Sequence, residues 1–372
     1  MYSKIFRNAI TISILFLPAT LLAVDPSAEE LYSRIYGQAN ENLQNGNAEQ
    51  KVLAAYVLGT QRKQKYVRPL SRELLDGLDN PILRKSSTHG PYVKSQIAWA
   101  LGRIGHFQAI PSLNQALDIT LKIVEEDLSV SSKKREALEQ SKSPYPVVLD
   151  RDRPGPTHLK KGSRFPDSPD IYWSLADDFK ADMAANPDTV DDRIKLQGYN
   201  YVNLVLSILD SIGKITGNYK NNIATGSAGE PLKKKLSETK LLLGKVLDHN
   251  LPSVRGGAAL ALAEIGDKES LELLDKRYQQ ETDFTVKTQI ARAILWNDRT
   301  KSAVTQELIS MLSSEDINVR LEASLALRDI GLGESLTYLQ SALKIEDDSR
   351  IRTILKEAIF NAQIDNVMPV NY

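Results

Sequence analysis

The sequence predicts an all-α chain folded as an α-solenoid, a superhelix of stacked antiparallel helix pairs carrying one long inserted loop. Three observations carry this expectation: a sequence repeat of 32 or 33 residues, an apolar stripe of helical period within each copy, and glycine where each copy should turn.

The repeat is plainest in the C-terminal half. Copies begin at Val254-Arg255, Val286-Lys287, Val319-Arg320 and Ile351-Arg352, spaced 32, 33 and 32 residues apart. An equally good copy begins at Val93-Lys94, and weaker ones begin at Gln50-Lys51 and Tyr201. Counting the first residue as zero, apolar or small residues recur at offsets four, five, seven, eight and eleven, which is one stripe of a 3.6-residue helix. Glycine follows at offset twelve in Gly105, Gly213, Gly266 and Gly331, the place for a left-handed helix end. The stretches between copies, such as Ser270 to Gln280, have their own helical pattern, so each unit reads as two helices. One pair cannot bury its stripe alone, and neighbouring pairs must stack.

Ala98, Ala258, Ala259, Ala291 and Ala323 are small enough to let adjacent helices approach closely. Asp248, Asp283, Asp316 and Asp348 precede the second-helix starts and are suited to cap them, with the basic residue at offset one available to pair with them across repeats.

The Asp…Val-Arg…Ala-Ala…Ala-Leu…Ile-Gly pattern resembles the short HEAT-like repeats first recognised in phycobilisome lyases. The resemblance is strong over about 248–362, good around 91–117 and weak at 48–75 and 196–216. It implies the solenoid architecture and leaves function open. The expected organisation is a signal peptide at 1–23, N-terminal repeats at 24–140, an insertion at 141–193 and a degenerate repeat helix at 194–216. A flexible linker at 217–231, C-terminal repeats at 232–365 and a tail at 366–372 complete it.

The first 23 residues have the form of a secretory leader: Lys4 and Arg7, an apolar run from Ala9, Pro18, and Leu21-Leu22-Ala23 as the cleavage site. A retained anchor is the alternative, but the run is shorter than the ~20 residues of a span. No later segment is apolar enough to cross a membrane. The insertion holds seven prolines (Pro144, Pro146, Pro154, Pro156, Pro166, Pro169 and Pro187), which no continuous helix pair accommodates. Its aromatics, Tyr145, Phe165, Tyr172, Trp173 and Phe179, favour a loop folded back on the solenoid or onto a partner.

Charge and composition narrow the function. Lys plus Arg and Asp plus Glu stand at 47 each, so no long-range field draws the chain to nucleic acid or to an anionic membrane. With no cysteine, there is no disulfide, thiolate metal site or Cys nucleophile. The four histidines, His89, His106, His158 and His249, are never followed by Glu, whereas the resemblance would place a di-iron hydroxylase site on His-Glu pairs. No P-loop, zinc-binding His-Glu-x-x-His or Gly-x-Ser-x-Gly turn occurs. Asp150-Arg-Asp152 starts like a calcium loop, but Pro154 and Lys161 stand at ligand positions. No cofactor, metal or enzymatic activity is expected.

By resemblance, the Val-Arg helices line the inner side of the array. Offsets three, six and ten share one side of the helical wheel, and they define the expected binding face. They are Gln96, Trp99 and Arg103; Leu260 and Glu264; Gln289, Arg292 and Trp296; and Glu322, Leu325 and Asp329. Packing of Trp99 and Trp296 against neighbouring repeats or beneath the insertion is the alternative. The expected function is a periplasmic or secreted scaffold or adaptor that binds a protein in the envelope or outside the cell. A structural subunit of an envelope assembly, and a carbohydrate or small-ligand binder, are the alternatives.

Overall fold

The computed structural model describes residues 28–86, 88–129, 190–220 and 229–367. The leader, nearly all of the insertion with its prolines, aromatics and calcium-like segment, and most of the 217–231 linker lie outside the described residues. The rest is helical, with no strand among the described residues.

The helices are α1 (Ala28–Asn45), α2 (Ala48–Thr60), α3 (Val67–Leu75), α4 (Pro91–Ile104) and α5 (Ile110–Ser129), then α6 (Val190–Asn218). There follow α7 (Glu230–Val246), α8 (Pro252–Ile265), α9 (Lys268–Gln280) and α10 (Phe284–Asn297). The last four are α11 (Ser302–Met311), α12 (Ile317–Ile330), α13 (Leu336–Ile345) and α14 (Ser349–Val367). The even-numbered helices from α2 to α14 form a core row in which each packs on the next, and the odd-numbered ones flank them. This is the predicted helical solenoid of HEAT-like pairs. The row is continuous through α6, which packs on both α4 and α8.

Small residues set the spacing of the row. A side chain on Gly59 of α2 would sit 2.8 Å from the Ala100 Cα of α4, and one on Gly102 would sit 2.8 Å from the Ser211 Cα of α6. Ser211 Oγ then donates to the Ala98 carbonyl and Ser207 Oγ to the Ser95 carbonyl, at 2.7 and 2.8 Å. All five alanines expected at close contacts are fully buried.

Gly105, Gly266 and Gly331 end their helices in the left-handed conformation, with φ of 71°, 61° and 64°. Gly213 does not: it lies inside α6, which continues to Asn218, and approaches Ala261 of α8. It occupies the place in the stack held by Gly59 and Gly102. The copy read from Tyr201 is therefore three residues out of phase, and its structural start is Leu204.

The electrostatics of the turns also differ from expectation. Asp283, Asp316 and Asp348 do accept N–H groups at the starts of α10, α12 and α14. Asp248 caps nothing, because α8 begins at Leu251-Pro252, and its carboxylate accepts from Arg277 instead. The basic residue at offset one turns away from these aspartates. Lys94, Arg255, Arg320 and Arg352 donate to carbonyls at the end of the preceding flanking helix or the turn after it. Arg255 and Arg320 also pair with Glu281 and Glu346, each of which follows the next flanking helix. These cations tie off helix ends that would otherwise leave carbonyls unsatisfied.

Candidate binding surface

The stack decides which side chains of the core row reach its surface. At offset nine a core helix meets the following one: Gly59 meets Ala100, Gly102 meets Ser211, and Gly213 meets Ala261. Likewise Asn297 donates to the Ala263 carbonyl and Asn361 to the Arg328 carbonyl. Offset three points the other way, toward the preceding helix. Gln289 lies so near Gly256 of α8 that a Cβ there would be 1.8 Å from its Oε1.

This geometry corrects part of the expected face. Gln96, Gln289 and Glu322, all at offset three, are buried between successive core helices. Among the described residues, neither Gln289 amide atom nor the Gln96 Nε2 has a hydrogen-bond partner, so these amides hold a costly place in the packing. Leu260 is buried as well, because the surrounding helix is made of glycine and alanine and its neighbours close over it. Trp99 is buried with its ring stacked on Tyr56 of α2, centroids 5.5 Å apart and planes 2° from parallel. The alternative reading of Trp99, packing against a neighbouring repeat, is the one the geometry shows.

The remaining predicted residues reach the surface in part: Arg103, Glu264, Arg292, Trp296, Leu325 and Asp329. They form two broken ridges at offsets six and ten. Arg292 of α10 and Asp329 of α12 come together, Nη1 donating to Oδ2 at 2.6 Å. Asp329 also accepts from Arg328, whose Nη1 lies 3.4 Å from Glu357 of α14. An ion-pair chain thus crosses three successive core helices beside Trp296 and Leu325. In the corrected phase of α6, the ridges gain Lys214, which pairs at 2.9 Å with the buried Asp210, and α2 adds Tyr56. Sequence reading missed both ridge residues because their copies are degenerate. The run of small residues Gly59, Gly102 and Gly213 was the signal that would have set the phase.

Among the described residues no group of three or more metal-ligating side chains comes together. No described helix is long and apolar enough to cross a membrane. Two strong perturbations of acidity belong to groups that close the turns. Burial lowers Lys94 to about 8 against the opposing charges of Glu73 and Asp76. Burial would raise Glu281, but hydrogen bonds from Arg255, the Asp283 N–H and Arg277 prevail and hold it at about 2. These groups tie helix ends together and lie off the ridges.

Comparison with known proteins bears on the architecture. The profile described as HEAT repeats matches residues 227–295, and that described as PBS lyase HEAT-like repeat matches residues 93–118. No curated protein matches the sequence. Among solved structures, the complex of CpcE and CpcF of phycocyanin lyase from Nostoc sp. PCC7120 is 15% identical, with 88% of this chain and 94% of that chain covered and a TM-score of 0.42. Human deoxyhypusine hydroxylase in complex with glycerol is 14% identical, with 88% and 84% covered and a TM-score of 0.28. An engineered protein is also 14% identical, with 88% and 96% covered and a TM-score of 0.28. The two profile matches show that this chain carries HEAT-like repeats: one of the phycobilisome-lyase kind on α4 with the start of α5, and HEAT repeats on α7 to α10.

Proposed function

We propose that the protein is an exported scaffold or adaptor, periplasmic or secreted, that binds another protein through the two ridges of its core row. One observation carries the reading: the ridge charges Arg292 and Asp329 are paired across successive helices, with Arg328 held on the same carboxylate, next to the half-buried Trp296 and Leu325. Charges already held in place, beside an aromatic anchor, give a partner a surface that loses little freedom on binding. The leader read in the sequence supports the exported setting. Lyase chemistry, suggested only by the name of one matched repeat family, is the competing reading.

A photo-crosslinking residue substituted for Trp296 or Leu325 in the native host tests this. Adducts with one discrete protein are expected from both ridge positions and not from Lys276, exposed on flanking helix α9. Equal labelling from Lys276 overturns the ridge assignment. Fractionation of the tagged chain into periplasm or medium tests the location, and retention in the cytoplasm overturns it.

A further inference from the structure

The turn between α2 and α3, with the first turns of α3, is unlike the rest of the array in charge. Residues 62–72 hold Arg62, Lys63, Lys65, Arg68 and Arg72 and no acidic residue. No other described stretch of eleven residues carries five cations without an acid. All five are exposed, and none forms an ion pair with a described residue. Glu73, the next acid along the chain, is buried and committed to Lys51.

A later repeat shows what such cations do when the stack uses them. At offsets thirteen and fifteen α10 is followed by Arg299 and Lys301, which pair with Asp365 and Asp275. The same offsets after α2 hold Lys63 and Lys65, which meet aromatic rings instead. Lys63 Nζ lies 5.9 Å from the Tyr36 ring centroid and Lys65 Nζ 5.0 Å from that of Tyr66. Lys65, Arg68 and Arg72, three and four residues apart, continue the charge along one face of α3. The other face of that helix buries Val67, Leu70 and Leu74.

The chain carries a matching charge of opposite sign. Residues 167–188 contain Asp167, Asp170, Asp177, Asp178, Asp182 and Asp188 against the single cation Lys180. Tyr172, Trp173 and Phe179 lie among these aspartates, and such rings rest favourably on guanidinium and ammonium groups. The tether allows contact. α3 packs on α5, the helix from which the segment leaves, and Asp178 is twelve residues before Val190, where α6 begins. Twelve residues reach up to about 40 Å when extended.

We propose that the basic face formed by residues 62–72 is the docking site of the chain's own acidic segment, residues 167–188. One exposed ion pair contributes little, but several act together here on a tethered partner whose effective concentration is on the order of millimolar. The face belongs to a flanking helix and its turn rather than to the ridges, so the proposal holds whatever the ridges bind.

Paired cysteines in the full-length protein test it, since the natural chain has none. Gln64→Cys with Ser174→Cys leaves every charge in place. Mild oxidation should join the two within one chain, at a rate independent of protein concentration. Linking should be roughly 10-fold faster than for Ser174→Cys with Gln279→Cys, exposed on α9. Adding Arg68→Glu and Arg72→Glu, or raising salt to about 0.5 M, should remove the preference while melting stays unchanged. Equal rates for the two pairs, a link that forms between copies, or a preference indifferent to charge reversal would each overturn the assignment.

Discussion

Arg255 and Glu281 form a bidentate pair between α8 and the turn after α9, Nε donating to Oε2 and Nη2 to Oε1 at 2.8 Å each. The same guanidinium donates to the His249 carbonyl at 2.9 Å, and the same carboxylate accepts the N–H groups of Thr282 and Asp283. One ion pair therefore closes the end of one flanking helix and the start of the next core helix. Arg320 and Glu346 repeat the arrangement two units later.

Glu281→Gln should cost about 3 kcal/mol at pH 7, because it leaves the Arg255 charge buried without its partner. Glu281 is held at about 2 against an ordinary 4.5, so its contribution is complete above pH 4.5 and fades as pH falls toward about 2. Urea unfolding of both proteins at pH 7 and pH 3 checks this. The gap between them should be smaller at pH 3, and a constant gap would count against the ion pair.

His249 supplies a second pH dependence in a separate window. Burial, and then the Arg255 charge, lower it from 6.5 to about 4, while its Nδ1 accepts the Leu251 N–H at 3.0 Å. The folded protein holds this ring neutral where the unfolded chain protonates it. Stability tied to it is therefore present above pH 6.5 and lost as pH falls through about 4. His249→Asn should flatten the fall in melting temperature over that window, and identical pH profiles would dismiss the residue.

Gly102→Ala should destabilise by roughly 1–3 kcal/mol, since the new methyl meets the Ser211 backbone and forces α4 from α6. Gly37→Ala has open space and should stabilise α1 by about 0.5–1 kcal/mol. Thermal melts of the two variants should move in opposite directions.

The two predicted anchors should part company. Trp99→Ala removes a buried ring stacked on Tyr56 and should cost about 3–5 kcal/mol. Arg292→Ala leaves Asp329 paired with Arg328, so its stability cost should stay below about 1 kcal/mol while capture of the partner falls. Comparing melting with crosslinking yield for each separates packing from recognition.

The repeats with a clear amphipathic stripe were legible from residues alone: α4, α8, α10, α12 and α14 appear where the Val-Arg steps place them. The phase of α6 was not. Tyr201 to Ile215 is covered on nearly every side by α4, α5 and α8, so its sequence is apolar all round and offers no stripe to orient. The binding face was legible only in part for a related reason. A helical wheel shows which residues share a side, but not that a glycine on the neighbouring helix draws that helix over Gln289.

The long segment at 130–189 leaves from α5 and returns at α6, two helices that pack on each other. It is a detour whose ends are held by a lattice that closes without it. Selection can therefore lengthen, shorten or rewrite that stretch while the scaffold keeps its registration.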